Sequence, residues 1–374
     1  FQRAGVCAKA LRAVSSSATL RRTHLRPRSN GLTGNLRFGQ PPNTHIVNVM
    51  ANGASGFVAP ALLQTLSCAG HRVFATSRRV PKEAPRGWSW RPRDEVLQSV
   101  EEPVDALVHL EVKQHVFACD PKTRFEFERV NVEGTKRWLG WCDRIGIERF
   151  VYFSSVKAVN SAAGRAGDEL SPGPNPSAYG ASKWHAEAAV RAWVSRSARR
   201  SAVILRPAVI YGPGNAANIA AMVKAIARNR FCLLGANSNI KSVVSIRNVT
   251  AATRYLLEQM RPGDCEIFCV TDPQSYTVRQ LDAMIRTAFG KSGNSPSIPV
   301  PVARVLARGG DVFERLSGRL APFDSTRLSA LLEATHFSCA KLQRTGFVHP
   351  ECTSDGISGL VNWYVNRSAL EAAS

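Results

Sequence analysis

A glycine-containing turn at residues 52–59, Asn-Gly-Ala-Ser-Gly-Phe-Val-Ala, most constrains the fold of this chain. It follows a strand-like apolar run and precedes a helical one. Gly53 permits a tight turn there, and Gly56 lets the backbone approach a ligand closely. In this setting a pyrophosphate lies at the helix N-terminus, where N–H groups and the helix dipole favour anions. The turn therefore predicts a dinucleotide site formed by Gly53, Ser55, Gly56 and Phe57.

Further strand-like runs alternate with helical runs after this turn, at 71–77, 105–112, 149–155 and 201–210. Such alternation predicts a parallel sheet covered by helices on both faces. We expect an α/β fold: a Rossmann-type doubly wound parallel sheet with a smaller C-terminal α/β substrate-binding lobe. Residues 80–104 read as irregular, and residues 299–316 as a helix broken by its glycines. The expected division is 45–211 for the dinucleotide domain, 212–366 mainly for the lobe, and 367–374 for a tail.

Residues 1–44 differ in composition from the rest. They contain seven Arg, one Lys and no acidic residue, and the sequence does not begin with Met. This composition is typical of an organellar transit peptide, and it also fits upstream sequence read through from an early start. We expect the segment to lie outside the fold. The expected location is the cytoplasm, or the mitochondrion if the segment is a transit peptide.

The formal net charge of +21 does not by itself indicate a nucleic-acid-binding protein. The basic residues are spread along the chain, and no basic-aromatic motif of a known binding module occurs, so we expect no nucleic-acid partner. An uninterrupted apolar run of about 18 residues, which a membrane span needs, does not occur either. The eight histidines show no metal-ligand spacing, so no metal site is expected.

A second motif, Tyr179-Gly-Ala-Ser-Lys183, begins a predicted helix about 125 residues after the glycine turn. Positions i and i+4 share a helix face, so the phenol and the ammonium project together. A nearby cation favours the phenolate, which predicts a lowered tyrosine pKa. Such a tyrosine can exchange a proton with a substrate hydroxyl while a hydride moves to or from a nicotinamide.

The end of the second predicted strand bears on the choice of dinucleotide. An acidic residue there would bind the ribose hydroxyls of NAD. This chain has Arg78 and Arg79 instead, and arginine suits a ribose phosphate through bidentate hydrogen bonds. The sequence therefore favours NADP without excluding NAD.

The chain resembles the extended short-chain dehydrogenase/reductases of the NAD-dependent epimerase/dehydratase family over roughly residues 45–366. The segments that carry the resemblance are HLEVKQHVF (109–117), NVEGT (131–135), RFVYFSSVKAV (149–159), YGASKWHAE (179–187), LRPAVIYGPGN (205–215) and VVSIRNVTAA (243–252). Within the family, the Ser-Ser-Val-Lys run and the tyrosine motif are most similar to bacterial nucleotide-sugar 4-epimerases. The resemblance to these epimerases implies NAD as the cofactor, whereas Arg78 and Arg79 favour NADP.

The resemblance implies a role for each matching residue. Tyr179 transfers the proton, Lys183 orients the nicotinamide ribose, and Ser155 hydrogen-bonds the reacting oxygen, with Ser154 as the alternative. Asn131 supports the active-site helix. Further implied contacts are Pro207 with the cofactor, and Asn215 and Lys241 with the substrate. Glu111 and Val112 depart from the family, because they put bulk and charge where small residues normally line the cofactor path.

Three functions remain open on the sequence alone. The first is a nucleotide-sugar epimerase that inverts C4 through a 4-keto intermediate, with NAD(P) bound throughout. The second is an NADPH-dependent reductase or dehydrogenase of a sugar or steroid-like carbonyl, which Arg78 and Arg79 favour. The third is a dinucleotide-binding subunit without catalytic activity. The family resemblance also implies a homodimer formed through two helices of the dinucleotide domain.

Overall fold

The computed structural model describes residues 47–81, 88–98, 103–114, 121–161, 165–215, 219–235, 239–317, 321 and 323–373. The basic segment 1–44 lies outside the described residues, so its predicted separation from the fold stays a prediction.

Strands and helices alternate along the first two thirds of the chain, as the sequence predicts. The strands are β1 Asn48–Asn52, β2 Arg72–Ser77, β3 Ser89–Pro92, β4 Ala106–His109, β5 Arg149–Phe153, β6 Ser201–Pro207, β7 Val209–Tyr211, β8 Leu233–Leu234, β9 Ile240–Lys241, β10 Val243–Ser245, β11 Cys265–Val270, β12 Tyr276–Thr277 and β13 Ser297–Ile298. The helices are α1 Val58–Cys68, α2 Arg93–Gln98, α3 Pro121–Phe127, α4 Gly134–Ile145, α5 Ala178–Val194, α6 Ile219–Ala227, α7 Ile246–Glu258, α8 Val278–Ala288, α9 Val300–Ser317, α10 Ser325–Leu332, α11 Ala340–Arg344 and α12 Thr353–Ala373.

Seven strands form one sheet in the order β11-β6-β5-β4-β1-β2-β3. Every neighbouring pair is parallel, which confirms the doubly wound Rossmann fold. The strand order reverses between β1 and β4. Ligands of such sheets bind at this reversal, beyond the carboxyl ends of the strands. A cofactor is therefore expected to bind at the loops that follow β1 and β4.

Helices cover both faces of the sheet. On one face, side chains of α1 and α7 pack with β1, β2 and β6. On the other face, α4 and α5 pack with β4 and β5, and Trp138 and Trp141 are fully buried there. Strands enclosed on both faces need apolar side chains on both sides, which explains their continuous apolar runs.

The C-terminal part of the chain supplies both the lobe and the edge of the sheet. A separate apolar cluster joins α6, α8 and α12 around Tyr211, and β9 pairs with β12 in antiparallel fashion. By contrast, α7 packs on α1, and β11 pairs with β6. The domain boundary at 211/212 stays a prediction, but residues 246–270 are placed with the sheet.

Two local expectations from the sequence were wrong. Residues 80–104 contain the short edge strand β3 and the helix α2. The Trp and Pro residues of β3 hide the strand pattern in the sequence. The helix α9 continues through Gly309 and Gly310. At Gly310 any side chain would collide with the carbonyl oxygen of Phe323, so this glycine permits close helix packing instead of ending the helix.

The helical segment from Pro121 to Ile145 contains a π-helical stretch. Residues Glu128–Glu133 have π geometry between α3 and α4. Such stretches contain one extra residue per turn and occur often at functional sites. Asn131 lies within this stretch and is fully buried.

Candidate active site

The glycine turn after β1 lies against the loop after β4. Gly53 has a φ of +65°, and a Cβ built there would be 2.6 Å from the backbone nitrogen of Glu111. Only glycine fits this position, because both its conformation and its closeness to the next loop exclude a side chain. The N–H of Gly56 donates to the carbonyl of Gly53 over 2.9 Å. Ser55 and Gly56 are exposed at the tip of the turn.

The first turn of α1 fits a diphosphate. The residue before it, Phe57, provides no side-chain hydrogen bond to cap the helix. The first N–H groups of a helix have no partner within the helix, and together with the dipole they attract anions. The close backbone approach at Gly53 and the helix start without a side-chain cap at α1 thus match what a dinucleotide pyrophosphate requires.

Asn52 ties the two loops together beneath the turn. Its Oδ1 accepts hydrogen bonds from the N–H groups of Leu110, at 2.8 Å, and Glu111, at 3.2 Å. The same amide bonds to the ring of His109, whose Nε2 lies 2.9 Å from the hydroxyl of Thr135. Burial, aided by the charge of Lys183, lowers the pKa of His109 to about 3. His109 is therefore a neutral hydrogen-bonding group.

The carboxylate of Glu111 is bound by the protein itself. Arg93 donates to one of its oxygens over 2.9 Å, and the indole N–H of Trp138 donates to the other over 3.0 Å. Arg93 balances the charge, and the two partners together connect the loop after β4 to α2 and α4. The departure from the family's small residues at Glu111 is thus compensated by two specific hydrogen bonds.

Two adjacent serines after β5 have different partners. Ser154 is buried and donates a 2.5 Å hydrogen bond to Glu187, which also accepts two bonds from the buried guanidinium of Arg206. Ser155 instead forms a hydrogen bond with the hydroxyl of Tyr179. It is therefore Ser155 that the fold puts beside the tyrosine.

Tyr179 and Lys183 both lie on α5, one helical turn apart. The Tyr179 ring contacts Phe127 edge-on, with ring centres 5.8 Å apart. Burial raises the pKa of Tyr179 to about 12, and the hydrogen bond with Ser155 offsets only part of this rise. The expected lowering of the Tyr179 pKa was wrong, because burial disfavours the phenolate more strongly than neighbouring groups favour it.

The ammonium group of Lys183 has partners that the sequence did not indicate. It donates to the carbonyl oxygen of Phe153 over 2.7 Å and to the hydroxyl of Tyr152 over 3.3 Å. Burial lowers the pKa of Lys183 to about 7, opposed by the negative charge of Glu187. The end of β5 thus fixes the lysine side chain within the interior.

Asn131 connects the loop after β4 to α5. Its side-chain oxygen accepts from the backbone N–H of Lys113 over 2.8 Å, and its amide donates to the hydroxyl of Ser182 over 2.9 Å. The π-helical stretch carries this asparagine to the position between both elements. Its geometry agrees with the supporting role implied by the resemblance.

The remaining cofactor candidates lie at the carboxyl edge of the sheet. Arg78 and Arg79 are exposed directly after β2, and the buried Ser77 hydroxyl bonds to the carbonyl of Arg79. Arg91 of β3 lies opposite Thr76 of β2 in the sheet register, which adds a further cation to this edge. Pro207 is buried at the end of β6.

A cavity of about 490 Å³ is lined in part by Val156 and Lys157, which follow Ser155 in the chain. The rest of its lining comes from residues 159–161, 165 and 175 and from residues 239–240 and 333–337. Among the lining residues, Lys157 donates to the carboxylate of Glu333 over 2.7 Å, and Lys241 bonds to the carbonyl oxygen of the same glutamate. Burial, together with the charge of Lys157, lowers the pKa of Lys241 to about 8.

Sequence reasoning missed part of this cavity. Lys157 was visible in the Ser-Ser-Val-Lys run, but its partner Glu333 is 176 residues away and carries no local motif. Asn215 has a different environment from the predicted one, because its amide donates to the carbonyl of Ile210 over 2.7 Å within its own loop. A substrate contact at Asn215 stays a prediction.

Within the described part of the chain, no helix is long and apolar enough to cross a membrane. Over the same residues, no three His, Cys, Asp or Glu side chains come together as a metal site would require.

Comparisons with known proteins agree with this geometry. The sequence profile of the NAD dependent epimerase/dehydratase family matches residues 49–270. A relative from Escherichia coli O157:H7, N-acetyl-alpha-D-glucosaminyl-diphospho-ditrans,octacis-undecaprenol 4-epimerase, is 29% identical over 313 residues, which cover 83% of this chain and 93% of the relative.

Two solved structures share the fold. MoeE5 in complex with UDP-glucose and NAD is 22% identical, with a TM-score of 0.65 over 86% of this chain and 99% of MoeE5. Human epimerase family protein SDR39U1 (isoform 2) with NADPH is 18% identical, with a TM-score of 0.65 over 85% of this chain and 99% of that protein. Together with the matched profile, the glycine turn and the Ser155–Tyr179–Lys183 arrangement confirm the resemblance seen in the sequence. The chain belongs to the NAD dependent epimerase/dehydratase family, a group of nicotinamide-dinucleotide enzymes of the extended short-chain dehydrogenase/reductase type.

Proposed function

We propose that the protein is a 4-epimerase of a sugar carried on a diphosphate. The observation that carries this proposal is the hydrogen bond of Ser155 with Tyr179, one helical turn from Lys183. The two residues that follow Ser155 in the chain, Val156 and Lys157, line the cavity described above. The 4-epimerase activity named for the Escherichia coli relative, which this chain matches over most of its length, supports the same reaction class.

Each residue of this arrangement has a chemical task in the proposed reaction. In its phenolate form Tyr179 takes the proton of the sugar's C4 hydroxyl, and Ser155 forms a hydrogen bond with the same oxygen as it becomes a carbonyl. Lys183, fixed by the carbonyl oxygen of Phe153, would hold the nicotinamide ribose, and the hydrogen bond with Ser155 opposes part of the effect of burial on the phenolate. When bound, a nicotinamide dinucleotide would supply reversible hydride transfer at C4. Tyr179 then returns its proton, so C4 is inverted without net oxidation.

The cavity supports a diphosphate-linked substrate. Lys157 and Lys241 both contact Glu333, which holds two cations at one side of the cavity. Lys241, with its pKa of about 8, is mostly protonated at neutral pH. Asn160 and Asn175 line the same cavity, where the amide of Asn175 donates to the side-chain oxygen of Asn160 over 3.3 Å. A sugar hydroxyl would join or replace this hydrogen bond. Cations for the diphosphate and amides for the sugar are the groups that such a substrate needs.

The test is a product assay with three substrates: UDP-glucose, UDP-N-acetylglucosamine and N-acetylglucosaminyl-diphospho-undecaprenol. Proton NMR distinguishes the C4 epimers, and absorbance at 340 nm follows reduced dinucleotide. We expect C4 inversion of at least one substrate without net accumulation or consumption of reduced dinucleotide. Stoichiometric dinucleotide turnover, or no inversion of any of the three, would contradict the proposal.

A reductase is the second candidate, favoured by the exposed Arg78 and Arg79 and by Arg91 beside them. We propose on the same ground that NADP(H) binds more tightly than NAD(H). A reductase would consume NADPH with a carbonyl substrate, which the 340 nm measurement detects directly. The homodimer implied by the family resemblance also stays a prediction, and sedimentation of the purified chain measures it.

A further inference from the structure

The helix α9 has an exposed apolar face that the rest of the described structure leaves uncovered. We define its apolar stripe as six exposed residues at spacings of one to six positions: Val302, Val305, Leu306, Val312, Phe313 and Leu316. Their exposed fractions range from 48% at Phe313 to 84% at Leu316. At about 100° per residue they fall on one side of the helix, over a length of about 21 Å.

A different face of α9 packs against the protein. Ala303 and Ala307 are buried against Leu328 of α10, and Gly310 lies against the carbonyl of Phe323. Small residues thus form the internal contact, while the large apolar residues point outward. A soluble chain seldom exposes a continuous row of large apolar side chains unless the row contacts something.

The charges of α9 are divided in the same way. Its acids bind the start of α10 and the segment before it: Asp311 accepts the N–H and hydroxyl of Ser325, at 3.0 and 2.6 Å, and Glu314 accepts the N–H of Ala321 at 2.7 Å. Three arginines, which share one flank of the apolar stripe, are exposed: Arg304, Arg308 and Arg315.

We propose that α9 docks on an anionic lipid membrane through its apolar stripe. A helix lying in the membrane interface has large apolar residues on one face and arginines or lysines beside it. Anionic headgroups complement these arginines and the net charge of +21. A second copy docked antiparallel through the same stripe would instead bring like-charged arginine rows together, which is unfavourable. The proposal goes beyond the epimerase activity and does not depend on it.

The first experiment is flotation of the full chain with vesicles of phosphatidylcholine and phosphatidylglycerol in a 7:3 ratio. The double variant Val305→Glu/Leu306→Glu removes apolar contact and adds charge, and we expect its vesicle partition to fall by at least about tenfold. Val348→Glu/Leu370→Glu is the matched control, because both residues are exposed and lie outside α9. The control should float like the wild type. Equal flotation of the wild type and the Val305/Leu306 variant would overturn the proposal.

Two further measurements separate the membrane from other occupants. Arg304→Gln/Arg308→Gln should weaken binding to the mixed vesicles by about fivefold per arginine, with little change on pure phosphatidylcholine. Unchanged binding to the mixed vesicles would overturn the assignment to an anionic surface. Sedimentation without lipid tests self-association: a stripe-dependent dimer that does not float would overturn the proposal. The same variants are also assayed for 4-epimerase activity with UDP-sugars. The result of that assay tests the proposed function and does not depend on the flotation result.

Discussion

Ser154 and Glu187 are joined by a 2.5 Å hydrogen bond in the protein interior, while the next residue, Ser155, faces Tyr179. The two hydroxyls therefore have separable tasks. Ser155→Ala should reduce turnover with little change in stability. Ser154→Ala should lower the free energy of unfolding by about 1–3 kcal/mol, because the buried carboxylate loses a donor. Steady-state kinetics and urea unfolding of both variants check this, and a reversed pattern would exchange the two assignments.

The ion pair of Glu187 and Arg206 predicts a large stability effect. Both side chains are at most 1% exposed, and the guanidinium donates to the carboxylate over 2.9 and 2.7 Å. Glu187→Gln leaves the arginine charge buried and should cost about 3–5 kcal/mol in unfolding free energy. Glu133→Gln is the control, because Glu133 pairs with Lys136 at the surface and should cost less than about 1 kcal/mol. Similar losses of unfolding free energy in both variants would contradict a large contribution of the buried pair to stability.

Removing the hydroxyl of Tyr179 should separate chemistry from binding. Tyr179→Phe keeps the ring that contacts Phe127 but cannot transfer a proton. We expect turnover to fall by about 10²–10⁴-fold, with dinucleotide affinity nearly unchanged. Tyr276→Phe is the control, since Tyr276 lies in the short strand β12 of the lobe. Near-normal turnover of the Tyr179 variant would exclude this residue from the mechanism and favour a non-catalytic role.

His109 predicts a specific dependence of stability on pH. Its folded-state pKa is about 3, below the ordinary 6.5, mainly because of burial. As pH falls from 6.5, His109 binds a proton in the unfolded chain but not in the folded chain. The unfolding free energy therefore decreases toward pH 3. His109→Gln should show a shallower decrease over this window in urea unfolding. NMR of the wild-type ring should report a neutral imidazole at pH 5, and a charged ring there would refute the assignment.

Arg78 and Arg79 should discriminate between the two dinucleotides. A charge-assisted hydrogen bond contributes about 1.5–3 kcal/mol, which corresponds to about tenfold or more in dissociation constant. Arg78→Ala/Arg79→Ala should therefore weaken NADP(H) binding and spare NAD(H). Because both arginines are exposed, added salt should also reduce the preference of the wild type. Calorimetric titration of both dinucleotides measures this, and equal weakening of the two would mean that the arginines only face solvent.

Local patterns predicted the parts of the site that depend on neighbouring residues. The glycine turn at Gly53 and the shared helix face of Tyr179 and Lys183 follow from spacing, and both occur in the structure. The sequence could not predict that Lys183 bonds to the carbonyl of Phe153, since that partner is a backbone atom on another element. The tyrosine pKa depends on burial, which spacing does not report.

Contacts between distant segments were equally hidden. Lys157 meets Glu333 only because residues 333–337 return to the cavity. Gly310 was interpreted as a helix breaker because the closeness of Phe323 is visible only in three dimensions. Local chemistry therefore predicted the fold and the reacting groups, whereas the cavity and the environment of each group required the tertiary structure.

The π-helical stretch at Glu128–Glu133 limits how this segment can change in length during evolution. Deleting one residue there would restore an ordinary helix and rotate everything after it by about 100°. Trp138 would then lose Glu111, and Trp141 would lose the carbonyl of Val96. Insertions and deletions between Asn131 and Trp138 should therefore be selected against even where single substitutions are tolerated, so that the spacing is inherited more strictly than the residues themselves.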